Sequence, residues 1–117
     1  MAHVLVVDDE PLVRSIVSQF LKIGNHTTTQ AECGEDALRE LSASNIDIVL
    51  TDLSMPGMTG IEFLAAARQT HPDIPFIVMS GHFVSKSIED RFDAALDKPL
   101  SLQDLLDAVS TLTAVRS

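Results

Sequence analysis

The sequence predicts an α/β fold in which a five-stranded parallel sheet carries helices on both faces. Short apolar runs rich in β-branched residues alternate with amphipathic segments along all 117 residues. This alternation is typical of parallel sheets with helical crossovers. No repeat, low-complexity stretch or internal linker interrupts the pattern. A chain of this length forms one domain with a buried core, so we predict a single domain over residues 1–117.

The first unit pairs a buried strand with a helix. Residues His3–Val7 form a short, β-branched apolar run, which predicts a buried strand. Residues Glu10–Ile23 follow at helical spacing, with Asp9 as the expected cap, Pro11 in the first turn and the Gly24–Asn25 pair as the stop. We expect the helix to turn its apolar side chains inward. They are Leu12, Val13, Ile16, Val17, Phe20 and Leu21.

The middle of the chain predicts three further strands and two helices. Residues His26–Ala31 are polar and Thr-rich, which places that strand at an edge of the sheet, and Gly34–Leu41 is a short amphipathic helix. Residues Asp47–Thr51 form the second buried strand. After a loop, Thr59–Thr70 is a helix, and Pro75–Met79 is the third apolar strand.

The last third of the chain is less regular. Residues 81–94 follow neither a strand nor a helix pattern. Residues Ala95–Asp97 form a short last strand. Residues Ser101–Thr113 form the final helix, with Ser101 as its cap and Asp104 three residues later.

Acidic side chains and one lysine follow the predicted strands where those strands end. Asp8 and Asp9 follow the first strand, Asp52 follows the second buried strand, and Lys98 follows the last one. The carboxyl ends of parallel strands open onto one crevice, where such sheets bind ligands. Grouped carboxylates repel one another unless a hard cation such as Mg²⁺ neutralises them, and a lysine offers a positive charge to phosphate. The pattern predicts metal-assisted phosphoryl transfer onto an aspartate.

Composition excludes several classes of function. The formal net charge of −9 argues against a nucleic-acid partner, since nucleic-acid binding needs a basic patch. No apolar run reaches membrane-spanning length, and the N-terminus has no signal region. Cys33 is the single cysteine, so an intrachain disulfide is excluded and a reducing compartment is expected. We therefore expect a cytoplasmic protein without a membrane or nucleic-acid partner.

Taken together, these residues resemble the response-regulator receiver domain, the phosphoacceptor module of two-component signalling. The resemblance covers essentially the whole chain. It rests on four segments in the right order and spacing: residues 6–11 (VVDDEP), 52–60 (DLSMPGMTG), Ser80-Gly81 and Lys98-Pro99. It implies the flavodoxin-like strand order 2-1-3-4-5 of a single-domain, chemotaxis-receiver-like protein.

The resemblance also implies a phosphoacceptor and a metal site. Asp52 would accept a phosphoryl group from a sensor histidine kinase or a histidine phosphotransfer protein. The implied cofactor is Mg²⁺, bound directly by Asp9 and largely through water by Asp8. Asp52 and the backbone carbonyl of Ser54 would complete this metal site. A downstream target protein is implied but not identified.

Further residues are implied to handle the phosphoryl group. Lys98 would bind one phosphoryl oxygen, the Ser80 hydroxyl would move to bond another, and Gly81 would offer a backbone N–H. Ser54 and His82 occupy the two positions that tune the phosphoryl lifetime in receivers. Beyond its own phosphorylation and dephosphorylation, such a domain is not an enzyme.

Two features depart from the usual receiver. The position three residues before Lys98, where most receivers carry an aromatic switch, is Ala95. The stretch between Ser80 and Lys98 is shorter than usual, so the fourth helix should be short or irregular. Both features resemble a divergent subgroup of alphaproteobacterial single-domain receivers. The Lys98–Pro99 bond is expected to be cis, which proline permits.

Other interpretations of the same residues stay open. Asp8 and Asp9 could instead cap the helix that follows them. Asp52, taken alone, could have a structural role at the end of its strand. Lys98, taken alone, could be an ordinary surface lysine. A haloacid-dehalogenase-like Mg²⁺-dependent phosphatase shares the strand-end aspartate but needs a second aspartate where Ser54 stands. A flavodoxin-like binder lacks its phosphate loop here. The intact pair of Asp52 and Lys98 argues against a phosphorylation-independent pseudo-receiver.

Overall fold

Strands and helices alternate along the chain in the computed structural model, which describes residues 1–81 and 84–114. The strands are β1 (His3–Val7), β2 (Thr27–Ala31), β3 (Ile48–Asp52), β4 (Phe76–Ser80) and β5 (Ala94–Asp97). The helices of the described residues are α1 (Pro11–Ile23), α2 (Gly34–Ala43), α3 (Gly60–Thr70), α4 (Lys86–Glu89) and α5 (Leu102–Ala114). All strand pairs are parallel, in the order β2-β1-β3-β4-β5. The predicted fold class and strand order are confirmed.

The sheet separates two layers of apolar side chains. Its interior strands β1, β3 and β4 are buried on both faces, as expected for a parallel sheet covered by helices. One layer packs under α2 and α3 and includes Leu5, Val49, Phe63 and Phe76. The other packs under α1 and α5 and includes Val6, Leu50, Leu105 and Val109. Successive residues of each interior strand enter opposite layers, so the register is fixed.

The register brings the polar strand ends to one edge of the sheet. Val7 at the end of β1 pairs with Thr51 of β3, which places Asp8 beside Asp52. Asp52 in turn pairs with Met79 of β4, and Ser80 pairs with Asp97 of β5. The ends of β1, β3, β4 and β5 therefore lie at one edge of the sheet, where the sequence predicted that the acidic residues and Lys98 would meet.

Of the two predicted helix caps, Ser101 is confirmed and Asp9 is not, and Thr59 is a further cap, although the sequence predicted it as the first residue of its helix. Thr59 caps α3 through a reciprocal capping box with Glu62, and the Ser101 hydroxyl accepts from the backbone N–H of Asp104. The prediction that Asp9 caps α1 is wrong. Glu10 is the N-cap residue and makes no side-chain cap bond, while Asp8 Oδ1 accepts the Glu10 backbone N–H at 2.9 Å. The buried acid rather than the exposed one thus holds the start of α1.

The predicted inward face of α1 is only partly correct. Val17 and Leu21 are buried, but Leu12 and Ile16 remain 71% and 43% exposed. The apolar arc of this helix is wider than the strip that the sheet and α5 cover, so its outer rows stay in solvent. Ile23, on the same side, is 63% exposed.

The remaining boundaries agree with the sequence to within two residues. β2 lies at the sheet edge as predicted. In the unassigned stretch 81–94, α4 is a single turn, which confirms a short fourth helix. The longest helices of the described residues have 13 residues, and none is long and apolar enough to cross a membrane.

Candidate functional site

Three carboxylates meet where β1 and β3 end. Carboxylate oxygens of Asp8, Asp9 and Asp52 all lie within 4.8 Å of one another. Asp8 is fully buried and Asp52 is 7% exposed, whereas Asp9 is open to solvent. The cluster is therefore half enclosed by protein, with one side open to an incoming molecule.

Lys98 faces this cluster from the end of β5. Its Nζ lies 2.9 Å from Asp8 Oδ2 and 3.5 Å from Asp52 Oδ2. Its backbone N–H donates to the carbonyl of Ser80 at 2.8 Å, which ties the lysine to the end of β4. The Lys98–Pro99 peptide bond is cis, as expected. Lys98 is thus the internal counterion of the acidic cluster.

Asp8 is held at both carboxylate oxygens. Oδ1 accepts the backbone N–H of Glu10 at 2.9 Å, and Oδ2 accepts from Lys98 Nζ. A fully buried carboxylate requires partners of this kind, because an unpaired buried charge is costly. The arrangement keeps Asp8 fixed, while the exposed Asp9 retains freedom to meet a ligand.

Burial sets the protonation behaviour of the central acid. Burial raises the pKa of Asp52 above its usual range, and the Asp8 carboxylate raises it further. Lys98 and the backbone N–H groups of Ser54 and Leu53 oppose that rise. Burial also acts to lower the pKa of Lys98, but its hydrogen bond to Asp8 and the charge of Asp52 outweigh burial, so that pKa is raised. The environment therefore favours the charged form of Lys98 and disfavours the charged form of Asp52.

Glycine is required where α3 crosses the end of β3. A Cβ on Gly60 would lie 2.5 Å from the backbone carbonyl oxygen of Asp52 and 2.9 Å from Leu53 Cα. The Gly60 N–H donates to the Leu53 carbonyl at 2.8 Å. This close approach fixes the backbone beneath Asp52 against the first turn of α3.

The other predicted site residues lie around this core. Ser80 is the last residue of β4, and a Cβ on Gly81 would lie 3.9 Å from Lys98 Cβ, so both residues border the lysine. Ser54 is exposed to solvent, and its backbone N–H donates a hydrogen bond to the Asp52 carboxylate. His82 lies outside the described residues.

The donor set suits a hard cation. Three carboxylates supply oxygen atoms only, and one of them is open to solvent, which matches Mg²⁺ with its preference for oxygen ligands and retained waters. The positive charge of Lys98 partly balances the negative charge of the cluster. The residues present therefore fit a magnesium ion, with Asp8, Asp9 and Asp52 as the groups that could hold it.

Arg14 was not foreseen from the sequence. Its Nη1 donates to the backbone carbonyl of Asp8 at 2.6 Å. An arginine in the first turns of a helix carries no motif, and the contact exists only because α1 packs against the end of β1. The sequence alone holds no signal for it.

Comparison with known proteins agrees with this geometry. Residues 4–110 match the response regulator receiver domain family. The chain is 32% identical over 113 residues to the response regulator protein FleR of Pseudomonas aeruginosa, covering 93% of the chain and 24% of FleR. It is 37% identical over 117 residues to the sensor kinase CckA of Brucella abortus, covering 95% of the chain and 12% of CckA.

A solved structure is similar across nearly its whole length. The response regulator TrrA of Thermotoga maritima, in complex with Mg²⁺ and BeF, has a TM-score of 0.88 and 30% identity, covering 96% of this chain and 99% of TrrA. The curated relatives are longer, and the chain spans between 12% and 28% of them. Sequence match, fold and strand-end acidic cluster agree, and the chain belongs to the response regulator receiver domain family of two-component systems.

Proposed function

We propose that this receiver domain takes a phosphoryl group from a phosphohistidine donor onto Asp52, with Mg²⁺ as cofactor. The observation that carries the proposal is the contact of Lys98 Nζ with Asp8 Oδ2 at 2.9 Å and Asp52 Oδ2 at 3.5 Å, inside a group of three carboxylates. A cation shared by two acids at a half-open site is suited to meet a phosphoryl group. Asp8, Asp9 and Asp52 would hold the metal, with the Ser54 carbonyl as a further ligand.

The residues of the chain divide the work of phosphoryl transfer. The Asp52 carboxylate, oriented by the N–H groups of Leu53 and Ser54, attacks phosphorus. An acyl phosphate bond forms as the bond between phosphorus and the donor's imidazole nitrogen breaks, and the imidazole leaves with that electron pair. Lys98 binds one phosphoryl oxygen. Bound Mg²⁺ would neutralise negative charge on the phosphoryl group during its transfer.

After transfer, the phosphoryl group attracts nearby donors. The Ser80 hydroxyl and the Gly81 N–H, both beside Lys98, would bond its oxygens, as expected of a dianion near such groups. Ser54 and His82 would control the access of water and hence the lifetime. The domain acts on its own phosphoryl group, as a switch for a downstream protein or as a relay, in the cytoplasm.

Small-molecule phosphorylation tests the assignment. Acetyl phosphate with Mg²⁺ should add one hydroxylamine-labile phosphoryl group to the wild type, mapped to Asp52 by mass spectrometry. Asp52→Asn should remove it, while Asp73→Asn, an exposed control, should keep it. Chelating Mg²⁺ should prevent labelling of the wild type. Labelling of Asp52→Asn at the wild-type level would refute Asp52 as the acceptor.

An exposed apolar surface adjoins the site and fits a donor protein. Leu12 and Ile16 of α1 are 71% and 43% exposed. Ile16 also lines a groove of about 440 Å³, together with Phe20, Lys98 and Pro99. Lys98 belongs to both the groove and the acidic cluster, so a protein seated here would lie next to that cluster. We assign this surface to the histidine kinase or phosphotransfer protein.

Substitutions on α1 test the docking surface. Purified kinases and phosphotransfer proteins of the source organism are first screened for transfer to the wild type. Ile16→Ser should slow transfer from the matching donor about tenfold, a typical hot-spot effect, yet leave labelling by acetyl phosphate unchanged. Ile23→Ser, exposed seven residues further along α1, is the matched control and should transfer normally. Equal transfer to both variants would exclude this surface.

A further inference from the structure

A side chain outside the acidic cluster holds the backbone from which two of its members arise. Arg14 is the fourth residue of α1, and its guanidinium turns back toward the start of the helix, the direction that helical side chains favour. Its Nη1 donates to the backbone carbonyl oxygen of Asp8 at 2.6 Å in a partly buried position. The contact joins α1 to the peptide unit between Asp8 and Asp9.

Arg14 is itself held in place by the neighbouring edge strand. Its Nε donates to Oε1 of Gln30 on β2 at 3.3 Å. The Gln30 amide in turn donates to the Ser18 hydroxyl of α1 at 3.0 Å. Because a guanidinium is planar and its donors form a rigid fork, a partner at Nε fixes the direction of Nη1. The hydrogen bonds from Gln30 to Ser18 and from Arg14 to Gln30 thus orient the Arg14 guanidinium toward the Asp8 carbonyl.

With Arg14 in place, every polar group of Asp8 has a partner. Its N–H donates to the Ala31 carbonyl at 3.2 Å, and its two carboxylate oxygens accept from Glu10 N–H and Lys98 Nζ. The carbonyl is the remaining group, and Arg14 occupies it. A peptide unit is planar, so fixing the Asp8 carbonyl also fixes the Asp9 N–H and the direction in which the exposed Asp9 leaves the chain.

We propose that Arg14 is a positioning residue for the metal centre: it locks the peptide plane between Asp8 and Asp9 and so preorganises Asp9 for Mg²⁺ without touching the ion. This inference rests on the proposed function, because it needs Mg²⁺ to bind the cluster. Contacts behind metal ligands typically change metal affinity by 10- to 100-fold. The Asp9 carboxylate is exposed, so burial does not restrict its orientation.

Magnesium titration by calorimetry, without any phosphodonor, tests the proposal. Arg14→Met removes the donors and keeps an apolar stem, and it should raise the Mg²⁺ dissociation constant about tenfold. Arg14→Lys keeps the charge but lacks the rigid fork, so it should lose most of the affinity as well. Arg39→Met is the matched control, because Arg39 pairs with Asp36 on the surface and should leave the constant unchanged. Amide exchange at Asp9 should quicken in Arg14→Met alone.

Each other outcome decides against the proposal. Wild-type affinity in Arg14→Met overturns it, even if that variant melts earlier, because the role would then be purely structural. Full affinity in Arg14→Lys overturns it in favour of long-range charge. If Arg14→Met does not fold, Gln30→Ala replaces it, and an unchanged dissociation constant there overturns the proposal. Failure of the wild type to bind Mg²⁺ would instead refute the proposed function and with it the basis of the inference.

Discussion

Among the described acids that form ion pairs, Asp8 is the most deeply buried. Asp8 is fully buried, and Lys98 Nζ at 2.9 Å is its ion-pair partner. Exposed pairs in this chain, such as Lys86 with Asp90 at 3.1 Å, keep both members in solvent. Removing one member of a buried pair leaves an uncompensated charge, whereas surface pairs contribute little. The two lysines should therefore differ sharply in their effect on stability.

Lys98→Met should lower the free energy of unfolding in chelator by about 3 kcal/mol, because Asp8 loses its counterion. Lys86→Met should change it by less than about 0.5 kcal/mol. Mg²⁺ should stabilise Lys98→Met more than the wild type, since the ion supplies the missing positive charge. Urea unfolding with and without Mg²⁺ measures both effects. Equal stability of the two variants in chelator would show that Asp8 does not need the lysine.

Asp52 should oppose folding at neutral pH when no metal is bound. Burial and Asp8 raise its pKa, so the folded state binds the proton more tightly than the unfolded chain does. For an acid with a raised pKa, the penalty is present above the folded pKa and is relieved as pH falls toward the ordinary carboxyl value of about 4. Stability linked to this group therefore rises as pH is lowered.

Asp52→Asn removes that penalty. In chelator at about pH 7.5 it should raise the free energy of unfolding by about 1 kcal/mol. The gain over the wild type should shrink as pH falls toward the ordinary carboxyl value of about 4, because wild-type Asp52 takes up its proton on the way. Asp73→Asn, at an exposed position, should show neither the gain nor its pH dependence. A gain that stayed constant with pH would rule out titration of Asp52 as its source.

The crossing of α3 over the end of β3 constrains the site through backbone contact. A Cβ on Gly60 would lie 2.5 Å from the Asp52 carbonyl oxygen, too close without movement of α3 or β3. A Cβ on Gly81 would lie in ordinary contact, 3.9 Å from Lys98 Cβ. A side chain is therefore sterically excluded at Gly60 but not at Gly81.

Gly60→Ala should lower the free energy of unfolding by about 2 kcal/mol, in the range of overpacking changes. Gly81→Ala should cost less than about 0.5 kcal/mol, because its methyl group meets no backbone. Thermal or urea unfolding of the two variants side by side measures the difference. If Gly60→Ala matched Gly81→Ala, the contact with Asp52 would not limit the fold.

Local pattern was enough to predict every described element except α4, and tertiary packing explains the other differences. Buried β-branched runs and caps such as Thr59 specify strands and helix starts from nearby residues alone. The exposure of Leu12 and Ile16 depends instead on how wide a strip the sheet covers, which periodicity does not encode. The strand-end acids could be predicted because parallel register brings them together. The reach of Arg14 to Asp8 could not, because it depends on how α1 sits against β1.

In the described part of the segment between β4 and β5, residues 84–93, the anchoring contacts lie next to β5. Phe92 is buried in the α2–α3 layer. Arg68 of α3 donates to the Arg91 carbonyl and to Asp93 Oδ2, both at 3.1 Å. The same Asp93 oxygen accepts the Phe76 N–H at 2.7 Å. By contrast, α4 is one turn without a buried residue. Helix α4 is thus less restrained than the residues next to β5.

Phosphorylation of Asp52 should therefore change the amide exchange of residues 84–90 and leave that of residues 92–97 largely unaffected. Ala95 cannot act as a rotamer switch, so ordering of the weakly packed turn is the available response. Amide exchange at 84–90 should be fast in the free protein and slow at least about threefold when BeF and Mg²⁺ bind, while 92–97 should be protected throughout. Ser80→Ala should keep labelling of Asp52 but remove the slowing. Arg68→Met should extend fast exchange into 91–93, because the anchor to α3 is lost. If residues 84–90 were already protected and unresponsive, the signal would have to leave by another face, and the α1 surface beside Lys98 would be the next to measure.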